Sequence, residues 1–267
     1  MMVGKTACLP PMRMNHNKMK KNRIVSHVLV PLLALLLAGG IPLCRAAEAK
    51  PLRVLVTFGG HGFEQKEFFA MWDALPGVKY AKAEMPKDAD LLKPGLEKQY
   101  DVIVMYDMTK GFTPGQRKAF TELLDTGIGL VATHHNLGAH ADWPGFSRII
   151  GGRYLFAPET IDGKELVAST YADDQEIHVT VADKEHPVTK GLADFVIHDE
   201  TYGNFYVAPD SHVLLTTDHA KCGHQIAWTR QVGKSRVCYL MFGHGPSAWG
   251  NPNYKELLLH AIRWTAP

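Results

Sequence analysis

The sequence has 267 residues, 29 Lys and Arg against 27 Asp and Glu, and four cysteines, a length that suits one large domain or two small ones. Seven of the basic residues and none of the acids lie in the first 46 positions, so the remainder carries 22 positive and 27 negative groups, a net charge of −5. No basic patch argues for nucleic acid, and beyond the first 46 residues no apolar run is long enough to span a bilayer.

The first segment is expected to stand outside the fold. Lys18, Lys20, Lys21 and Arg23 form a basic region, Ile24 to Gly40 is apolar with a Leu/Ala run from Leu32 to Ala38, and small residues follow. This is the three-part pattern of a secretory signal peptide. Cys44 and Ala46, or Ala47 and Ala49, satisfy the small-x-small rule, so residues 1–46 are assigned to the leader and residues 47–267 to the mature domain, with cleavage after Ala49 also fitting. The apolar run is short and interrupted by Pro31, which argues against an uncleaved anchor. Leu43 is too large for the position before a lipidated cysteine, and Met14 or Met19 fits as the start of a shorter leader. The protein is therefore expected to be exported, periplasmic or extracellular, without membrane attachment once the leader is cleaved.

The mature chain opens with an apolar strand, Leu52–Phe58, that ends in Gly59-Gly60. Glu64–Leu75 places Phe68, Phe69, Met71, Trp72 and Leu75 at helical spacing. Val78–Ala83 and Asp101–Tyr106 read as the next strands. Thr113-Pro114 supplies an N-cap and a first-turn proline for a helix to about Asp125. Ile128–Thr133 is a fourth strand. Strands that are apolar throughout and alternate with helices indicate a parallel sheet covered on both faces. The middle of the chain differs. Gly152–Phe156, Leu166–Thr170, Glu176–Val181, Phe195–His198 and His212–Thr217 read as short strands added to one edge of the sheet. Arg236–Phe242 and a closing helix, Asn253–Trp264, restore the α/β pattern.

Only Cys222 and Cys238 fall in the mature domain. Gln225–Arg230 and Ser235–Leu240 look like a hairpin, and pairing Arg230 with Ser235 sets Ala227, not Cys222, opposite Cys238. Two free thiols are expected.

Ligands of an open parallel sheet bind at the carboxyl ends of its strands. Here those ends carry Gly59-Gly60-His61-Gly62, Asp107, His134-His135-Asn136 and Gly243-His244-Gly245, and the inserted region offers Asp199-Glu200-Thr201-Tyr202. Imidazoles with a carboxylate suit Zn²⁺ or a similar divalent metal. His61, His134, Glu200 and His244 are the candidate metal ligands, with His134, Glu200 and His244 also the candidate catalytic groups. A metal-free acid–base site on a sugar is the alternative. Asp107, His135, Asn136, Tyr202 and Trp249 are candidate substrate contacts, and Trp143, Tyr202 and Trp249 have rings that could stack on a pyranose.

Gly59-Gly60-His61, Gly129–His135, Ile149-Ile150-Gly151-Gly152, His186–Leu192, Asp199-Glu200-Thr201-Tyr202, Ala227–Arg230, Gly233–Val237, Gly243-His244 and Ala261–Trp264 run in one order along the chain. This series resembles the trehalose-utilisation (ThuA-like) family. The resemblance implies a flavodoxin-like three-layer α/β sandwich of the class I glutamine amidotransferase type, with inserted edge strands. It also implies a role in using trehalose or related glycosides, beside oxidoreductases that form 3-keto sugars. The implied partner is a small-molecule sugar, and a homo-oligomer is compatible with it. A sugar-active hydrolase, lyase or isomerase is the leading reading and a non-catalytic sugar-binding protein the alternative. An amidotransferase carries a cysteine on the turn after its central strand, whereas the corresponding turn here carries His134. Glutamine thiolysis needs a thiolate, for which imidazole is no substitute. Purified protein is therefore expected to release no glutamate from glutamine, and release that is abolished by substitutions in the His134 turn would contradict this.

Overall fold

The computed structural model describes residues 50–267, so the leader and both cleavage points lie outside the described residues. In chain order the strands and helices are β1 (Leu52–Phe58), α1 (Gln65–Asp73), β2 (Val78–Glu84), β3 (Val102–Met105), α2 (Pro114–Leu124), β4 (Gly129–Thr133), α3 (Pro144–Ile150), β5 (Gly152–Arg153), β6 (Glu159–Ile161), β7 (Lys164–Leu166), β8 (Thr170–Val181), β9 (Phe195–Gly203), β10 (Tyr206–Val207), β11 (His212–Thr216), β12 (Gln225–Val232), β13 (Ser235–Leu240), α4 (Pro246–Gly250) and α5 (Pro252–Thr265). A nine-stranded sheet runs β2-β1-β3-β4-β13-β12-β11-β8-β9. Its first five strands are parallel, in the flavodoxin-like order. The other four are antiparallel additions on one edge. Of the five short strands expected there, Glu176–Val181, Phe195–His198 and His212–Thr217 join it within β8, β9 and β11, whereas Gly152–Arg153 pairs with Tyr206–Val207 and Lys164–Leu166 with Glu159–Ile161 in two separate two-stranded sheets.

The parallel strands owe their place to composition. Val102–Met105 and Gly129–Thr133 are buried at every position, as strands covered on both faces must be. Helix α2 begins as its sequence dictates: the Thr113 hydroxyl accepts from the Gln116 N–H, and the Gln116 side chain accepts from the Thr113 N–H. Helix α5 packs on β3, β4 and β13 through Leu257, Leu258, Ala261 and Ile262.

The hairpin of β12 and β13 is tighter than the sequence suggests. Val232 pairs with Ser235, so the turn is Gly233-Lys234, and Cys238 faces Thr229 instead of Ala227. Gly233 takes a φ of 54°, and a two-residue turn with positive φ suits the strand twist better than the longer loop. Cys222 and Cys238, the two cysteines among the described residues, are free, as expected.

The inserted strands bring the chain back over the rim. Strand β8 pairs with β11 only at Thr180 and Val181, whereas β8 and β9 pair from Val179 to Thr170. Most of that hairpin therefore stands clear of β11. A bulge between Ala172 and Gln175, with Asp174 at a φ of 49°, bends it.

Strand β4 is fixed where it passes α5. A Cβ on Gly129 would lie 2.7 Å from the carbonyl carbon and oxygen of Thr265. Gly129→Ala is expected to destabilise the domain by about 1–3 kcal/mol, read as a fall in Tm of roughly 2–4 °C per kcal/mol. An unchanged Tm would contradict this close approach.

Candidate functional site

The carboxyl ends of β1, β3, β4 and β13 meet at one rim. His134 leaves β4 with a φ of 49°, a left-handed conformation that a non-glycine residue holds only under restraint. Three bonds supply the restraint. The Tyr239 hydroxyl donates to the His134 carbonyl at 2.9 Å. His134 Nδ1 lies 2.7 Å from the Met241 carbonyl, which can only accept, so Nδ1 carries the proton. Nε2 faces the cavity, 2.9 Å from the Tyr202 hydroxyl.

Around Nε2 the structure assembles a triangle. His134 Nε2 lies 3.1 Å from His244 Nδ1 and 3.1 Å from Glu200 Oε2, and His244 Nδ1 lies 3.3 Å from Glu200 Oε2. Among the described residues this is the one cluster of three His, Cys, Asp or Glu side chains spaced to share a metal ion. Burial raises the Glu200 carboxyl, but bonds to His134 and His244 overcome it and hold the group below the usual carboxylate range. The Glu200 bond raises His244 against the opposing effect of burial. Burial, reinforced by Glu200, pushes the Tyr202 phenol well above its ordinary value, so it remains an O–H donor.

Asp199, 3% exposed, ties the two inserted and core segments together. Its carboxylate accepts from the N–H groups of Gly243 at 2.7 Å, His244 at 3.0 Å and Glu200 at 3.0 Å. Burial raises its pKa, opposed by His134 and these three donors. Asp199 thus sets the backbone of two members of the triangle at once.

The other expected residues divide. Beside the triangle lies a cavity of about 550 Å³ lined by His61, His135, Tyr202, Glu200 and His244. His61 stands at its exposed edge, stacked on His135 at 4.8 Å between ring centroids and 6.3 Å from His244, outside the triangle. His135 is buried and held on the Tyr106 carbonyl through Nε2. Burial, with His134 and His61 nearby, lowers its pKa well below the usual value and keeps it neutral. Asp107, Asn136 and Trp249 do not line the cavity. Asp107 is fully buried and accepts from the Thr57 hydroxyl at 2.5 Å. Asn136 donates to the Asp107 carbonyl, and the Trp249 indole donates to the Gly243 carbonyl while packing on Phe68. These three brace the rim. Trp143 lies elsewhere, among Phe112, Phe120 and Phe146.

Sequence reasoning missed the outer wall. Tyr154, Phe156, Tyr171, Asp173 and Met108 also line the cavity. Phe156 is 55% and Tyr171 64% exposed, unusual for large rings. Asp173 projects there from the bulge in β8. The Asp173-Asp174 doublet between two strand-like runs was the available signal, because a strand interior disfavours paired aspartates.

The fold and site define a flavodoxin-like α/β sandwich with a histidine, not a cysteine, on the turn after its central parallel strand. Residues 53–265 match the family model described as trehalose utilisation, ThuA, and the chain belongs to that family. Membership assigns it a carbohydrate-utilisation role. A ThuA-like protein of Parabacteroides merdae is 20% identical, with 81% of this chain and 90% of that one covered and a TM-score of 0.66. A ThuA-like protein of Bacteroides uniformis is 24% identical over 82% and 93% of the two chains, with a TM-score of 0.61. A β-galactosidase of Rahnella sp. R3 shares the fold at 13% identity, over 81% of this chain and 32% of that one, with a TM-score of 0.53. No curated protein matches the chain.

Asp199→Asn puts an amide NH₂ where the chain needs an acceptor. It is expected to cost about 1.5–3 kcal/mol of stability and to speed hydrogen exchange at the Gly243 and His244 amides. Unchanged exchange at both amides would contradict the role given to Asp199.

Proposed function

We propose that this protein is an exported, sugar-active enzyme that removes a proton from the carbon beside a ketone on an oxidised glycoside, at a site where His134, Glu200 and His244 hold a divalent metal such as Zn²⁺. The triangle of donor atoms carries this reading. Zn²⁺ bonds imidazole nitrogen and carboxylate oxygen at about 2.0–2.2 Å, so donors around a tetrahedral centre stand roughly 3.3 Å apart. The three observed separations, 3.1, 3.1 and 3.3 Å, match. Two neutral nitrogens, one carboxylate and a cavity beside them correspond to a three-ligand site with an open fourth position. The leader pattern supports export.

A divalent ion bound there supplies Lewis acidity that polarises a ketone and acidifies the neighbouring C–H. The chain supplies everything else. The Met241 carbonyl fixes the tautomer of His134. Asp199 fixes the turn that bears His244. The Tyr202 O–H stands ready to donate at the edge of the triangle. Asp173 is the carboxylate that lines the cavity without belonging to the triangle, and we assign it as the base. The proton passes from carbon to a carboxylate oxygen of Asp173, and the bonding pair shifts toward the ketone oxygen. Expulsion from the next carbon of the glycosidic oxygen, which takes up the proton held on Asp173, then completes an elimination, and return of that proton to a different carbon completes an isomerisation. Tyr154, Phe156 and Tyr171 provide faces on which a pyranose ring can stack.

Metal analysis of the purified protein, paired with steady-state turnover of 3-keto-trehalose, tests this. The expected result is one metal ion per chain, lost together with turnover in His134→Ala. Asp173→Asn is expected to keep its metal and lose turnover by about 10²–10⁴-fold. Full turnover by metal-free protein would overturn the metal site. Binding of the oxidised sugar without turnover would make the protein a sugar-binding module instead.

A further inference from the structure

No residue from 156 to 168 is buried. The stretch contains the hairpin of β6 and β7, which forms a two-stranded sheet of its own. Within itself the hairpin is well formed. Asp162 and Gly163 take φ values of 52° and 75° between the paired residues Ile161 and Lys164, the two-residue turn that suits strand twist. A lone two-stranded hairpin has little stability of its own and depends on what it packs against.

This one packs against little. Ile161 and Leu166 share the lining of a groove of about 430 Å³ with Phe205, Val207 and Pro209, so the inner apolar face of the hairpin is not closed against the body. Two polar contacts hold it there. The Tyr206 hydroxyl donates to Asp162 Oδ2 at 2.9 Å, and Arg153 pairs with Glu159 at 3.0 Å. Both carboxylates are at least partly exposed, and contacts of that kind hold weakly. The base is different. Leu155 is fully buried, its N–H donates to Ser169 Oγ at 2.9 Å, and its carbonyl accepts from the Ser169 N–H at 2.8 Å. The Ser169 hydroxyl in turn reaches the Asn204 carbonyl at 3.3 Å. The two ends of the stretch are thus clamped together at one point of the body.

What lies just beyond the clamp faces the site. Phe156 lines the cavity beside the triangle and is 55% exposed. Val167, on the returning arm, is 63% exposed. Tyr154 and Tyr171 line the same cavity from outside the clamp, and Tyr171 is fixed by pairing with Tyr202 in β9.

Resting on the reading of the triangle as the reacting site, we propose that residues 156–168 are a flap that closes over the cavity when a sugar enters it. In this structure the flap is open and latched by Tyr206 and Arg153. Turning about Leu155 and Ser169, it lays Phe156 and Val167 on the sugar and removes their apolar surface from water. The sugar is then gripped between the Phe156 ring and the fixed rings of Tyr154 and Tyr171. Closure also serves the chemistry. A carbanion formed beside the ketone is quenched by bulk water, which a closed site excludes.

Hydrogen exchange of the amides from 159 to 166, read by mass spectrometry with and without excess 3-keto-trehalose, tests the flap. Saturation-transfer NMR of the sugar reads occupancy separately. In the free protein these amides are expected to exchange faster than those of β8 and β9, and the sugar should slow them several-fold. Tyr206 lines the groove under the hairpin and not the cavity beside the triangle, so Tyr206→Phe removes the latch without touching the site. It should lower the sugar concentration for half-maximal protection several-fold, because the bond broken on closing is gone and the closed form is more populated. A hairpin with only a structural role would bind sugar no better without this anchor. Hairpin amides as slow as those of β9 in the free protein, sugar that binds without slowing them, or unchanged or weaker binding in Tyr206→Phe would overturn the flap and leave the reacting site standing. Protection by a sugar that is never turned over refutes the enzyme reading and leaves the flap standing. Absence of sugar binding overturns both.

Discussion

His134 turns out of β4 with a φ of 49°, and the rest of the site is arranged around that turn. A left-handed residue with a Cβ costs about 1–2 kcal/mol, so the surrounding structure has to over-determine it. Here β4 lies between β3 and β13, and the backbone carbonyl and Nδ1 of His134 are bonded to Tyr239 and Met241, both within or just after β13. The strain and its restraints aim one imidazole nitrogen at one point. Without the turn, that nitrogen would point along the strand's own alternation into the core.

Charge explains why the rest of the cluster takes the form it does. Asp199 and Glu200 are adjacent and both buried, and two such carboxylates repel unless each is neutralised. The chain handles them differently. Asp199 spends its lone pairs on three backbone N–H groups. Glu200 has no such cage and faces two imidazoles and a phenol. The His244 imidazole, whose pKa Glu200 raises, lies 3.3 Å from it. A divalent cation would balance it better, because it bonds all three donor atoms at the separations they already have. The same carboxylate pair therefore divides into a structural anchor and a group left facing the cavity.

Much of this was legible in the sequence. The parallel strands announced themselves because a strand buried on both faces must be apolar throughout, and Leu52–Phe58 is observed with the bounds read from its composition. Thr113 and Gln116 gave the start of α2 because capping is local chemistry. His134 and His244 could be placed at one rim because strand ends are fixed by topology. The role of Glu200 depended on how the inserted segment folds, which no local pattern encodes. It reaches the rim because β8 leaves β11 after two residue pairs and bends at a bulge. Phe156 and Tyr171 were invisible as wall residues because aromatic side chains in short strands are usually core, and only tertiary structure shows them exposed. Asp107, Asn136 and Trp249 show the opposite error: a polar or aromatic residue at a strand end can be spent on holding the rim itself.

X-ray absorption spectroscopy on protein loaded with one equivalent of Zn²⁺ tests the central claim most directly. The account predicts a first shell of nitrogen and oxygen only, at about 2.0–2.2 Å, with the outer-shell scattering of two imidazoles, reduced to one in His244→Ala. A shell containing sulfur, or one without imidazole scattering, would contradict it.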